Sequence, residues 1–189
     1  MIVSWLSTPF LHLNGRIEFT LTTGFAILKP NQNRGMTNMI TAHVVYATIT
    51  GNNEDIADIV TEHLEDAGVK VTETEISQTD PSVFEDVNIC VVCPYTYDEG
   101  ALPEEGLDFY EDLSDEKLSG KVFGVAGSGD TFYEEYYNVS VDKFEEAFKK
   151  TGATIGADSV KINLEPDEDD IKKLDAFTEK LIEKAKSLQ

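Results

Sequence analysis

Three apolar runs, at 43–47, 88–93 and 121–126, constrain this chain more than any other feature, because each ends in a loop of glycine, threonine, asparagine, aromatic or acidic residues. The runs are short and rich in valine, isoleucine and alanine, with little polar alternation, which is how strands buried on both faces read. Beyond the first, Ile56, Ile59, Val60, His63, Leu64 and Ala67 recur at helical spacing. Strand, loop and helix repeated in this way imply a parallel sheet covered by helices on both faces. Ligands of such sheets bind outside the carboxyl ends of the strands, where the strand order reverses. The three loops are therefore expected to meet at one edge.

Their composition says what they would hold. Thr48, Ile49, Thr50, Gly51, Asn52 and Asn53 carry no positive charge, yet backbone N–H groups, hydroxyls and amides converge there at a helix N-terminus. Its partial positive charge favours an anion such as a phosphate. A plain capped turn uses the same residue types. The second loop, opening with Pro94, Tyr95, Thr96, Tyr97 and Asp98, and the third, running from Gly127, Ser128, Gly129 and Asp130 through Tyr133 and Tyr136, set aromatics among glycines and acids. A phosphate cradle between two aromatic loops is expected.

The remaining pattern alternates regularly. It predicts a strand over 69–76, a turn at Asp80-Pro81, a helix over 104–118, a helix over 140–150 ended by Gly152, and a last strand over 159–164. Pro166 then precedes a terminal helix with Ile171, Leu174, Phe177, Leu181 and Ile182 on one face. Five strands result, in an α/β sandwich.

Charge is the compositional outlier. A formal net charge of −21 disfavours nucleic acid and anionic membrane surfaces and favours a partner protein with a basic docking face; solubility is the other use of such acidity. Cys90 and Cys93 have redox-pair spacing, but residues three apart on a strand face opposite ways, so both are expected to be core residues of a reduced, cytoplasmic protein. His12, His43 and His63 are scattered without metal-ligand spacing, and no metal site is expected.

Residues 1–38 stand outside the alternation. They hold Arg16, Lys29 and Arg34 against Glu18, and their longest apolar run, Phe25 to Leu28, is too short for a signal peptide or a membrane span. Two domains follow: an N-terminal extension at 1–38, either poorly ordered or an artefact of a start called upstream of Met36 or Met39, and a ligand-binding domain at 39–189.

In order along residues 39–189, the three loops resemble those of the flavodoxins. Thr48 to Asn53 is similar to the family's phosphate loop S/T-x-T-G-x-T, apart from Asn53 in the last place. Thr96-Tyr97-Asp98-Glu99-Gly100-Ala101-Leu102-Pro103 resembles T-W/Y-G-D-G-E-L-P, with Asp98 where the family has glycine. Gly127 to Tyr133 matches G-S/C-G-D-x-x-Y in full. The resemblance implies a flavodoxin-like three-layer sandwich of the short-chain type with strand order 2-1-3-4-5.

It also implies a non-covalently bound flavin mononucleotide (FMN). The first loop would take the phosphate, Tyr97 and Tyr133 would flank the ring, and Asp130 would accept a hydrogen bond from its pyrimidine edge. In the family the peptide after the first aromatic turns over on reduction, and Asp98 is expected to make that turn harder than glycine would. The function expected is electron transfer between redox enzymes at low potential, by a monomer without catalytic side chains, loaded by reductases of the ferredoxin or flavodoxin type. A flavin-dependent reductase of a quinone or other small molecule would need a substrate pocket and a nicotinamide site that the sequence does not display. A phospho-receiver domain would need carboxylates where this chain has Thr48 and Cys93-Pro94.

Overall fold

The structure, a computed structural model, describes residues 39–189. The expectations for 1–38 and for His12 lie outside the described residues. β1 (Thr41–Tyr46) leads into α1 (Asn52–Asp66), β2 (Lys70–Glu75), β3 (Ile89–Cys93), α2 (Leu107–Leu113) and β4 (Val122–Gly129). α3 (Val139–Lys150), β5 (Thr154–Ile155), β6 (Val160–Asn163) and α4 (Glu168–Ser187) complete the domain.

All strand pairs are parallel, and the sheet runs β2-β1-β3-β4. The expected fifth place is split. β5 pairs with Val122 and Phe123 at the start of β4, and β6 pairs with Ala126 to Gly129 at its end, making six strands rather than five. The break falls at Gly156, where an added Cβ would lie 2.5 Å from Val122 Cγ1 and 2.6 Å from Leu181 Cδ2. The Gly156 N–H still donates to the Phe123 carbonyl at 2.9 Å, after which the chain leaves β4 and rejoins it at Val160.

Each face of the sheet has its own core. Val44, Val91 and Cys93 pack with Ile56, Val60 and Leu64 of α1 and Leu174, Phe177 and Leu181 of α4. On the other face Val45, Cys90, Val92 and Phe123 meet Phe84, Phe109, Phe144 and Phe148, with the Phe123 and Phe148 rings stacked at 4.8 Å. Burying a side chain of this size stabilises the fold by about 1.5–3 kcal/mol. The alternation of strand side chains thus places the two free cysteines on opposite faces, and burial pushes both thiols up from their ordinary range.

Two helix expectations are corrected. The helix expected over 104–118 is confined to Leu107–Leu113, preceded by a single tight turn at Glu104–Gly106. Gly106 lies against Ile76, and after Leu113 the N–H groups of Asp115 and Glu116 reach back only three residues, to Asp112 and Leu113. The Leu118 N–H then bonds the Thr151 carbonyl, which draws the chain off the helix axis. In α4, Ile171 is 39% exposed and does not share the buried face of Leu174, Phe177, Leu181 and Ile182. Its N-terminus is closed by a capping box between Asp167 and Asp170. Among the described residues no helix is long and apolar enough to cross a membrane, and no group of histidine, cysteine or acidic side chains could hold a metal ion.

Candidate functional site

At the carboxyl ends of β1, β3 and β4 the three loops enclose a cleft of about 460 Å³. Its walls are Ile49, Thr50, Asn52 and Asn53 from the first loop, Tyr95, Thr96, Tyr97, Asp98, Glu99 and Gly100 from the second, and Ser128, Gly129, Asp130, Tyr133, Tyr136 and Asn138 from the third, with Leu164 beyond β6. Clefts that take a cofactor or drug-sized ligand span about 300–1,000 Å³. Thr48, Gly51, Pro94 and Gly127 are not on the walls; they shape the loops that form them.

The first loop is built around Gly51, whose φ of 98° is open to glycine and strained for other residues. Its N–H donates to Thr48 Oγ1 at 3.0 Å, so the Thr48 hydroxyl is used inside the turn. The N–H groups of the first turn of α1 have no partner within the helix, and Asn52 and Asn53 bring that end of the helix to the cleft. Asn53 is 3% exposed, and its amide faces the third loop: Oδ1 accepts the Ser128 N–H at 2.8 Å and Nδ2 donates to the Ser128 carbonyl at 3.5 Å.

A narrow turn forms the second loop. The Tyr97 N–H bonds the Ala101 carbonyl and the Ala101 N–H bonds the Asp98 carbonyl, both at 2.9 Å. Its left-handed residues are Glu99, at φ 45°, and Gly100, at φ 83°, one and two places beyond Asp98. Tyr97 remains 54% exposed beside the cleft, edge-on to Tyr95. Tyr95 turns its hydroxyl away to Glu105 Oε2 at 2.9 Å, and burial together with the Glu105 carboxylate holds its phenol above the ordinary range.

The third loop is tethered at several points. The Asp130 carboxylate accepts the Phe132 N–H at 2.8 Å, Asn163 Oδ1 accepts the Thr131 N–H at 2.8 Å, and Ser128 Oγ donates to the Leu164 carbonyl at 2.5 Å. Tyr133, 57% exposed, is presented at the cleft, and the charge of Glu135 raises the nearby Tyr136 phenol. The two glycines serve internal packing. A Cβ on Gly127 would lie 2.5 Å from the Pro94 carbonyl oxygen, and one on Gly129 would lie 2.8 Å from Asn138 Oδ1.

Glu99, Gly100, Asn138 and Leu164 line the cleft without having been assigned a contact with the cofactor from the sequence. The first two fall within a loop already marked, and asparagine before a helix is a weak sign of the left-handed backbone that Asn138 adopts at φ 53°. Nothing in the sequence marks Leu164. Glu99, Asn138 and Leu164 are three of the four described non-glycine residues with positive φ, and the fourth, Glu134, follows Tyr133, so backbone strain gathers around this cleft. Asn138 is fully buried; its Nδ2 bonds the Ile162 carbonyl at 3.1 Å and its Oδ1 has no hydrogen-bond partner among the described residues.

A family model described as Flavodoxin matches residues 44–176, a span that contains all three loops. The chain belongs to the flavodoxin family. Flavodoxins are electron carriers that work with redox partners, and FMN is the cofactor. The probable flavodoxin 2 of Bacillus subtilis (strain 168) is 36% identical over 143 residues, covering 75% of this chain and 94% of the relative. Among solved structures, a short-chain flavodoxin associated with a non-canonical PDU bacterial microcompartment is 63% identical, with a TM-score of 0.77 over 78% of this chain and 99% of its own. A flavodoxin of Streptococcus pneumonia TIGR4 is 47% identical, with a TM-score of 0.74 over 76% of this chain and 99% of its own.

Proposed function

We propose that this flavodoxin is a low-potential carrier that passes electrons one at a time between redox enzymes on FMN held in the 460 Å³ cleft. The observation that carries the reading is the convergence on that cleft of an α-helix N-terminus, three exposed tyrosines and several carboxylates. Thr50, Asn52 and the N–H groups that open α1 would take the phosphate by oriented dipoles, without a lysine or arginine. Tyr97 and Tyr133 would flank the ring, each stacked pair contributing about 0.5–1.5 kcal/mol beyond area burial. The Asp130 carboxylate already accepts the Phe132 N–H and keeps acceptor capacity for the ring's edge.

Bound FMN supplies the redox chemistry. The chain supplies a field. Asp98, Glu99 and Asp130 line the cleft, and Glu134 and Glu135 adjoin it. A unit charge about 10 Å away opposes a new negative charge by roughly 0.4 kcal/mol at water-like dielectric and 1.7 kcal/mol at an effective dielectric of 20. Several such charges lower the potential for full reduction. The same acids suit a reductase or oxidoreductase with a basic docking face, met by a monomer in the cytoplasm.

The test is direct. The purified protein should be yellow, release one FMN per chain and accept electrons from a ferredoxin-type reductase at rates that fall steeply with salt, since exposed charges are screened within about 8 Å at physiological ionic strength. Purification without flavin from flavin-replete cells, or turnover of reduced nicotinamide by the protein alone, would overturn the reading.

A further inference from the structure

The second loop is latched from outside the cleft. Three hydrogen bonds reach it from two residues at the start of α3: the Ser140 N–H donates to Thr96 Oγ1 at 3.0 Å, Ser140 Oγ donates to the Ala101 carbonyl at 3.3 Å, and Lys143 Nζ donates to the Gly100 carbonyl at 2.8 Å. Ser140 and Lys143 are three residues apart and so share one face of the helix. Their two side-chain donors hold consecutive carbonyls of the turn that presents Tyr97, and the Ala101 carbonyl also receives the Tyr97 N–H. Two of the turn's residues, Glu99 and Gly100, have left-handed backbone, which glycine adopts freely but which persists at Glu99 only where surrounding structure enforces it.

We infer that Lys143 is a positioning residue for the cofactor: by fixing the Gly100 carbonyl it holds the 97–101 turn in the one shape that presents the Tyr97 ring to the flavin. This rests on the flavin reading of the cleft. The bond is charge-assisted and half-shielded from water, which makes it stronger than an ordinary amide hydrogen bond. Lys143 touches the ring-side loop and does not line the cleft, so its effect should fall on the isoalloxazine end of the ligand.

The apoprotein is titrated with FMN and with riboflavin, following flavin fluorescence, for the natural chain and for Lys143→Met, Lys143→Arg and Lys161→Met. Lys161 pairs with Asp142 on α3 at 2.6 Å and controls for the loss of one positive charge. Lys143→Met should weaken both ligands by the same factor, about tenfold, the worth of one such bond. Arginine should restore most of the affinity, and Lys161→Met should leave both constants unchanged. A loss confined to FMN would make Lys143 a distant cation for the phosphate and overturn the proposal. So would unchanged affinities in Lys143→Met, an equal loss in Lys161→Met, or a failure of arginine to restore binding. If the natural chain binds neither ligand, it is the flavin reading itself that falls.

Discussion

Asn53, in the first turn of α1, holds both the N–H and the carbonyl of Ser128 with one side-chain amide, at 2.8 and 3.5 Å. The pair lies in the buried floor of the cleft and joins the first and third loops across 75 residues of sequence. Replacing Asn53 with alanine leaves the Ser128 N–H buried without an acceptor, at a cost of about 1–3 kcal/mol. Asn53→Ala should lower the denaturation midpoint of the apoprotein accordingly and weaken FMN by about tenfold or more, because both loops lose their common anchor. Asn53→Thr, the residue of the family's motif, restores an acceptor and should recover part of the loss. Equal stability in Asn53→Ala and the natural chain would show that the bond is redundant.

The turn that presents Tyr97 carries backbone strain at Glu99, at φ 45°, whereas the cost expected at Asp98 arises only when its peptide turns over on reduction. A left-handed backbone costs an L-residue about 1–2 kcal/mol, while glycine's greater freedom in the unfolded chain gives back about 0.5–1 kcal/mol. Glu99→Gly should therefore leave thermal stability unchanged or raise it by up to about 1.5 kcal/mol. Asp98, with no positive φ to relieve, should lose stability when changed to glycine. Calorimetry of the two variants side by side checks this; a more stable Asp98→Gly would contradict it.

His43 is buried on β1, with Nε2 2.9 Å from Thr74 Oγ1, and burial holds its pKa below the ordinary imidazole value of 6.5. The folded state prefers the neutral ring, so its stabilising effect is full above 6.5 and is lost as pH falls through the lowered folded value. Glu73 acts the other way. Burial, with Asp58 and Glu54 adding repulsion, raises its carboxyl above 4.5, so its unfavourable effect is present when it is ionised and is relieved as pH falls. Urea midpoints measured from pH 7.5 down to 5 should fall in the natural chain and fall less, or rise, in His43→Gln. Parallel profiles would remove His43 as the source.

We further expect a chain starting at Met39 to keep its melting temperature and its FMN affinity. All three ligand loops lie beyond residue 38, and the family match begins at 44. A large loss in the shorter chain would make the extension part of the domain.

The sheet and the three loops were legible because local signals announce them: strands buried on both faces read as unbroken apolar runs, and each loop carries its own chemistry where a strand ends. Contacts that depend on distant partners were not legible. The amide of Asn53 looked like a phosphate ligand until Ser128 came within reach of it. No local signal marks Lys143, because its partner Gly100 is 43 residues away. The split of the last strand falls beside Gly156, packed between Val122 and Leu181 of α4, and no periodicity within 159–164 can report such a contact.

The placement of Cys90 and Cys93 gives the domain a built-in stopwatch. Both thiols are fully buried in the central strand β3, one in each core, and burial keeps them protonated and out of reach of reagents while the fold is closed. Their modification can proceed only when β3 opens, so the rate of thiol trapping reads how often the middle of the sheet comes apart. A ligand that bridges the loops at the ends of β1, β3 and β4 would slow that clock, and a cysteine placed at an exposed rim position such as Phe132 could carry a single label without competition from either native thiol.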